Sequence, residues 1–453
     1  MPQPGLLQRV SDFLRAEGVM GSDALLIVGV SGGVDSMVLL HALIGLAKAN
    51  PTQWPPLSVV HVNHQIHPHA AQWAQQVVRS CAAHGIPCEV KVVSIVDAGE
   101  GLEAAARRAR YEAFESVVAE QELLLQAHHR DDQIETFFWR LLRGSGVAGL
   151  AGMPAQRALG RGCLLRPLLQ LTRADIMAYA HTFALSWVDD DSNADIRFDR
   201  NFLRQQVLPM LAQRWPDYRD TIARAITHLD ENNQLLRLLA DRDLAMLVQS
   251  DGGCSLQALA SMSRPQQKWL LRAWLQQFGV VPGSAQLDEI LRMTTAAADA
   301  QPCVACSGIE IRRFQQALYA VPALPLLPGN FDLSWMPGQV LELPAGYGAL
   351  RAESAIGRGL RADRHYRVCN RRGGERCHPL AREHSQTLKK LLQEAHIPPW
   401  WRDRVPLICC GDEIAAVGDF WVCRGFAAAP GAAGWAQTWV RPAPLDEYSA
   451  QTR

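Results

Sequence analysis

The sequence predicts an α/β protein: a doubly wound, mainly parallel sheet, then a helical domain, then a small mixed α+β domain. Three observations carry this. The first ~210 residues alternate short apolar runs with helix-period segments, as βαβ units do. From about residue 217 the periodicity is helical, with no strand signal before about 300. From ~345 to ~435 short strands surround a single helix. A length of 453 residues agrees with about three domains of roughly 150 residues, and we expect them at 1–216, 217–320 and 345–437.

Taken in order, Leu6, Leu7, Val10, Phe13 and Leu14 form one face of a short helix. Residues 24–30 (ALLIVGV) are continuously apolar before a glycine turn, the pattern of a strand buried on both faces. A helix at 37–47, strands at 57–62 and 88–93 separated by another helix, and a helix at 103–119 follow. Next come a strand at 123–128, a helix at 131–143, a short apolar run at 163–169, and a helix capped by Thr172. Beyond 217, Ile222, Ile226, Leu229, Leu236, Met246 and Leu247 recur near helical spacing. The Pro-rich stretch 321–339 reads as a boundary or extended connector. A helix at 386–395, capped by Ser385 and stopped by Pro398 and Pro399, precedes strands at 405–409, 413–417 and 420–423. Gly418-Asp419 joins the last two strands, and the polar tail after ~440 is expected to fray.

Composition narrows the class. Apolar residues make up 48% and charged residues 20%, enough to bury real cores. Lys+Arg and Asp+Glu are both 45, so the net charge is zero and overall charge does not hold this chain on nucleic acid. Only five of the basic residues are Lys (48, 91, 268, 389, 390). No apolar run approaches the ~20 residues of a membrane span, and the first residues lack a secretory pattern, so a cytoplasmic protein is expected. Eleven Cys, an odd number, read as reduced thiols. The lone C-x-x-C of Cys303 and Cys306 is a weak metal or redox signal.

The strongest chemical signal is Ser31-Gly32-Gly33-Val34-Asp35-Ser36, between a buried strand and a helix. Glycines let backbone approach an anion, and a helix N-terminus adds unpaired N–H groups and partial positive charge. It lacks the Lys of a Walker loop and is not a dinucleotide fingerprint. In this context SGGVDS resembles the PP-loop of the ATP pyrophosphatases, which cleave ATP between the α and β phosphates. That resemblance implies the adenine nucleotide alpha hydrolase-like fold, with ATP and Mg²⁺ as cofactors.

Other segments narrow the resemblance. They are His61-Val62-Asn63-His64; the segment from Glu103 through Arg107, Arg108 and Arg110 to Tyr111; and His128-His129-Arg130-Asp131-Asp132-Gln133-Ile134-Glu135-Thr136. Leu141-Leu142-Arg143-Gly144-Ser145-Gly146, Arg166-Pro167-Leu168-Leu169, Asp191-Ser192-Asn193 and Asp199-Arg200-Asn201-Phe202-Leu203-Arg204 continue the series. Together, over roughly 20–210, they resemble the tRNA(Ile)-lysidine synthetase family. Arg371-Arg372-Gly373-Gly374-Glu375-Arg376 and the segments after it look like that family's C-terminal module. Gln65-Ile66-His67 replaces the family's usual Gly-Leu-Arg, so an expected arginine contact is in doubt.

The resemblance implies a two-step ligation. ATP adenylates the wobble cytidine of an isoleucine tRNA with a CAU anticodon, releasing pyrophosphate; the ε-amine of free lysine then displaces AMP to give lysidine. Loop amides with Ser31 and Ser36 suit the leaving pyrophosphate. Asp35 suits Mg²⁺ or loop orientation. His61 and His128 are expected at the nucleotide, although either His128 or His129 could instead serve core or cap. Asp132 and Glu135, on the first turn of a helix, offer two carboxylates on one side; spacing alone reads equally as acids favoured at a helix N-terminus, and the resemblance points to lysine. Arg110, with Arg107, suits phosphate or the lysine carboxylate, and Arg200 and Arg204 suit the adenylated intermediate.

Between Arg361 and Arg404 there are eleven basic residues and five acids, so RNA-binding charge is expected there, with Arg371 and Arg372 on phosphate. The oligomeric state is open, a homodimer included. Sulfur insertion into cytidine would want a cysteine pair near the loop, and the first domain has only Cys81, Cys88 and Cys163, with no C-x-x-C. An amidotransferase-type synthetase would want a glutaminase arrangement, and none is visible. A non-catalytic tRNA-binding relic is disfavoured by the intact loop.

Overall fold

A computed structural model describes residues 5–96, 99, 101–189, 195–296 and 300–441. Asp191-Ser192-Asn193 and the tail from 442 lie outside the described residues. The chain forms two compact units, Met1–Leu236 and Arg237–Arg453.

The first unit runs α1 (Leu6–Ala16), β1 (Leu26–Gly29), α2 (Val34–Ala49), β2 (Leu57–Asn63), α3 (Ala70–Ala82), β3 (Cys88–Val92) and α4 (Leu102–Val117). It continues with β4 (Leu123–Leu125), α5 (Arg130–Leu142), α6 (Val147–Leu150), β5 (Gln156–Leu159), β6 (Gly162–Leu165) and α7 (Arg173–Thr182). After α8 (Asp199–Phe202) come a π-helical turn at Leu203–Val207, α9 (Leu208–Arg214) and α10 (Tyr218–Leu247), whose residues after Leu236 belong to the second unit.

Sheet order is β3-β2-β1-β4-β6-β5. All neighbours are parallel except β5, antiparallel to β6. β1 shows why a continuous apolar run was needed. Leu26 and Val28 pack with Val10, Leu14, Leu39, Leu43 and Ile176 on one face. Ile27 packs with Val60, Phe114, Val118 and Leu124 on the other. The chain builds outward from β1 through β2 to β3, then returns to place β4 on the opposite side. The order therefore reverses between β1 and β4, and a crevice opens at their carboxyl ends.

The sequence expectation missed β5, of whose four residues only Leu159 is buried and which carry no apolar alternation. The expected strand 123–128 is shorter, because the backbone leaves the sheet after Leu125 to enter the α5 turn.

In the second unit, β7 (Cys254–Ser255), α11 (Leu256–Ala260), α12 (Arg264–Gln276), α13 (Ser284–Met293), β8 (Cys303–Cys306), β9 (Ile309–Phe314) and β10 (Ala317–Pro322) follow α10. The purely helical reading of 217–300 is corrected here. Cys254–Ser255 pairs antiparallel with β10 in a sheet ordered β7-β10-β9-β8. A two-residue strand that pairs more than sixty residues away has no local signature. Helices and sheet share a core of Leu271, Trp274, Leu287, Ile311 and Leu318. Cys303 is exposed and Cys306 buried, so the C-x-x-C is strand alternation.

The remainder comprises β11 (Asp332–Trp335), β12 (Leu341–Glu342), β13 (Ala349–Ile356), β14 (Leu360–Arg361), β15 (Tyr366–Cys369), β16 (Arg376–Cys377) and β17 (Gln386–Thr387). Then come α14 (Leu388–Glu394), α15 (Pro399–Arg402), β18 (Leu407–Cys410), β19 (Glu413–Val417), β20 (Trp421–Val422) and β21 (Ala433–Val440). They make sheets ordered β11-β15-β18-β19-β20 and β12-β13-β21-β14, plus the ribbon β16-β17. Two expectations change. The Pro-rich stretch is partly strand, since β11 pairs with β15. The helix expected from 386 begins at Leu388, because Gln386–Thr387 pairs with Arg376–Cys377 and Thr387, not Ser385, is its N-cap.

Candidate active site

A cavity of about 650 Å³ opens in the first unit at the carboxyl ends of the strands. One wall is the loop after β1. Gly32 has φ +95°, a conformation suited to glycine. A Cβ there would also lie 3.5 Å from Val77 and Val188. The Gly32 carbonyl accepts from Val188 N–H at 2.9 Å. Ser36 Oγ donates to the Gly33 carbonyl at 2.9 Å and sits 3.2 Å from Ser31 Oγ, while Gly33 N–H donates to Ser31 Oγ at 3.3 Å. α2 starts with Gly33 as N-cap and no side-chain cap, so its first-turn amides keep their anion-binding character. Ser31, Gly33, Asp35 and Ser36 line the cavity. Gly32 and Val34 do not; Val34 packs its side chain into the core and offers only backbone.

The opposite wall comes from α5. Asp132 Oδ2 accepts from the His129 backbone N–H at 3.0 Å, capping the helix and fixing the acid's position. Glu135, 3% exposed, accepts a bidentate pair from Arg204 at 2.6 and 2.8 Å. Arg204 also lies 3.5 Å from Asp132 Oδ1. Arg204 belongs to the π-helical turn, a deviation that re-aims a side chain. The two carboxylates are thus brought together, and a guanidinium already sits on them. Burial pushes the Glu135 carboxyl up despite the lowering by Arg204.

Two adjacent histidines face different surroundings. Burial, then Arg166, Arg110, Arg107 and Arg200, push His128 well below its usual value. Its Nδ1 accepts from Arg166 Nε at 3.3 Å, so the neutral ring carries its proton on Nε2 and can donate into the cavity. His129 is 1% exposed. Its Nε2 lies 3.6 Å from both Asp35 Oδ1 and Asp132 Oδ2. Burial pulls its pKa down, but Asp35, Asp132 and Asp131 outweigh that and leave it raised. Asp35 is raised by burial and lowered more by His129, Arg173 and Arg204, for a net lowering. Arg173 Nη1 bonds both its oxygens at 3.3 Å.

The pair gives a prediction. NMR of the histidine rings should show His129 titrating above 6.5 and His128 far below it. Because the folded value of His129 is raised, its stabilisation is complete below 6.5 and is lost as pH rises through the folded value. Asp35 works in the opposite sense, losing its contribution as pH falls below 3.8. Chemical denaturation between pH 6 and 9 should therefore show a decline that His129→Asn abolishes.

The third wall is basic. Arg107, Arg110 and Arg200 line it. Arg107 stacks on Tyr111 with its guanidinium 5.0 Å from the ring centroid. The buried Arg110 Nε has no protein partner among the described residues, and burial lowers that guanidinium's pKa. Arg200 reaches Thr136 Oγ1 at 3.5 Å. Burial pushes the Tyr111 hydroxyl up, but Arg107, Arg166, Arg110 and Arg157 bring it below its usual value, a measure of the positive field here. His61 Nδ1 donates to the Val30 carbonyl at 2.8 Å, fastening β2 to the end of β1.

Sequence reasoning missed Arg173 and Arg166, which act through other site residues, and Trp73, which lines the cavity stacked on His67 with centroids 4.4 Å apart. Only position in the fold reveals Arg173 and Trp73, whereas Arg166 already stands in the segment Arg166-Pro167-Leu168-Leu169 without a role. Arg371 and Arg372 lie in the second unit. Arg371, its side chain 11% exposed, donates to the Arg402 carbonyl at 2.9 Å and to Asp403 at 3.0 Å. Arg372 is exposed.

A buried parallel strand, a glycine loop on a helix N-terminus and charged walls at the switch point define a PP-loop ATP-using enzyme. Residues 6–211 match the PP-loop domain family, 255–319 the TilS substrate binding domain and 366–439 the TilS substrate C-terminal domain. The tRNA(Ile)-lysidine synthase of Coxiella burnetii is 41% identical over 90% of this chain and 91% of its own. Those of Alkalilimnicola ehrlichii and Serratia proteamaculans are each 42% identical, over 91% and 88% of this chain and 93% and 92% of theirs. The chain belongs to the tRNA(Ile)-lysidine synthase family, and is a ligase that uses ATP in tRNA modification. Among the described residues, no helix is long and apolar enough to cross a membrane.

Proposed function

We propose that this chain uses ATP to adenylate the ring carbonyl of the wobble cytidine in CAU-anticodon tRNA(Ile), then joins free lysine to that carbon. The observation that supports it most is a single cavity with a phosphate-binding loop on one wall and paired carboxylates on another. In the first step the carbonyl oxygen attacks the α-phosphorus and pyrophosphate leaves toward the loop amides, Ser31 and Ser36. His128, neutral with Nε2–H available, donates to the nucleotide; His61 holds the ends of β1 and β2 in register.

Asp35 stays ionised and faces the cavity, which fits the mode in which Mg²⁺ takes one carboxylate plus substrate phosphates. The ion would neutralise charge on the departing pyrophosphate. In the second step the lysine ammonium takes the place of Arg204 between Asp132 and Glu135, with its carboxylate on Arg107 and Arg110. The raised Glu135 carboxylate accepts the proton that the ammonium must lose before its nitrogen attacks and AMP departs. Arg204, released, turns with Arg200 to the adenylated intermediate. We assign the catalytic part to 1–216 and tRNA contact to 217–320 and 345–437, and the reaction to the cytoplasm. Incubation with ATP, labelled lysine and total tRNA tests this. Lysine should enter RNA as a base modification stable to mild alkali; label lost in alkali, or products of ADP and phosphate, would count against it.

Phosphate contact in the second unit divides between neighbours. Gly373 and Gly374, both with positive φ, turn the chain so that Arg372 faces outward, while Arg371 braces the turn. Arg372→Ala should flatten the slope of log tRNA affinity against log salt by about 0.7–0.9. Arg371→Ala should instead lower stability by about 1–3 kcal/mol, since it strands the Arg402 carbonyl and the Glu375 carboxylate, 3.8 Å away. A salt slope unchanged by Arg372→Ala moves the RNA surface elsewhere.

A further inference from the structure

Four cysteines line one cavity of about 700 Å³ in the second unit: Cys369, Cys377, Cys409 and Cys423. Cys377 and Cys423 are buried. Cys369 and Cys409 are half-buried, on the adjacent antiparallel strands β15 and β18, with sulfurs 3.6 Å apart. Cys410 follows Cys409 on β18, where successive side chains take opposite faces. Arg367 and Arg372 line the same cavity. Among the described residues no group of three or more His, Cys, Asp or Glu is arranged to hold a metal ion.

We propose that Cys369 and Cys409 are a hydroperoxide-reactive dithiol that closes reversibly to a disulfide. Cys369 is the attacking sulfur. The contact with the Cys409 sulfur, helped by Arg372 and Arg367 and against the opposing effects of burial and Asp332, brings Cys369 down to about 7. The same contact pushes Cys409 up. The pair thus divides into a nucleophile and a resolving thiol. The Cys369 thiolate attacks one peroxide oxygen; the O–O bond breaks, the departing hydroxide takes a proton and leaves as water, and the sulfur becomes sulfenic acid. Cys409 then attacks that sulfur, the S–O bond breaks, a second water leaves and the S–S bond forms. Two thiols and one peroxide give one disulfide and two waters.

Closure needs the sulfurs to approach from 3.6 Å to about 2.0 Å. Cys369 is registered against Leu407, so Cys409 stands diagonally across the two strands and closure draws β15 and β18 together locally.

Peptide mapping of the full chain after brief treatment with hydrogen peroxide tests the proposal. Trypsin should yield a disulfide joining the peptide of Cys369 to that of Cys409, reversed by dithiothreitol. The crosslink should persist in Cys410→Ser and vanish in Cys409→Ala, where dimedone should trap the sulfenic acid on Cys369. Alkylation by iodoacetamide at pH 7 should be at least tenfold faster at Cys369 than at exposed Cys303, with a pH midpoint that rises in Cys409→Ala. Equal Tm values for wild type and Cys409→Ala would show that the fold is retained. No crosslink, a crosslink that survives Cys409→Ala, or Cys369 reacting no faster than Cys303 would overturn the proposal.

Discussion

Ser36→Ala is expected to lower the rate of ATP-dependent pyrophosphate release by about 10–10³-fold, the loss seen when one preorganised donor is taken from a developing negative charge. Ser36 is 5% exposed, and its hydroxyl holds both the Gly33 carbonyl and Ser31 Oγ. Removing it strands the Gly33 carbonyl and frees Ser31, so the loop loses a donor and the brace that keeps its amides convergent. Pre-steady-state pyrophosphate release with tRNA and without lysine reads this step alone. A wild-type rate would mean that the backbone amides and Ser31 carry the transition state without the Ser36 hydroxyl. Ser36→Thr keeps the hydroxyl, and a rate intermediate between wild type and Ser36→Ala would assign the loss to the donor.

Glu135→Gln should weaken lysine binding by about 10–150-fold, the equivalent of 1.5–3 kcal/mol for a charge-assisted hydrogen bond. The amide keeps the shape of the side chain at 3% exposure and removes the charge that faces an ammonium. Asp132→Asn should act in the same direction and more weakly, because Asp132 also caps α5. Arg204→Ala is the informative partner. With its bidentate clamp removed, burial and Asp132 act on Glu135 against His129 alone, and its pKa rises further. The pH dependence of lysine transfer should then shift upward, while lysine no longer competes with a guanidinium. Adenylation without lysine should be little changed by Glu135→Gln. If it falls as far as lysine transfer does, the carboxylates belong to the nucleotide and the lysine assignment fails.

Much of this was legible along the chain because the signals are local. β1 is buried on both faces, so its residues had to be continuously apolar, and the run 24–30 says so. SGGVDS is contiguous because a loop that wraps a phosphate must present successive amides. Asp132 and Glu135 are three residues apart because one helical turn brings them to the same side. Thr172 caps α7 through its hydroxyl, which accepts from Asp175 N–H at 3.1 Å.

What required the folded chain is whatever depends on partners far away in sequence. β5 and β7 exist because a neighbouring strand supplies their hydrogen bonds, and their own residues advertise little. Arg204 reads in sequence as a free cation for the intermediate; in the fold a π-helical turn delivers it to Glu135, 69 residues earlier. The same holds for charge. Between Arg361 and Arg404 the sequence counts an excess of cations, yet Arg371 and Arg404 spend theirs on internal carbonyls, Arg404 on those of Pro325 and Gly346. Charge can be counted along a chain, but its availability depends on which carbonyls and carboxylates folding brings within about 3 Å of it.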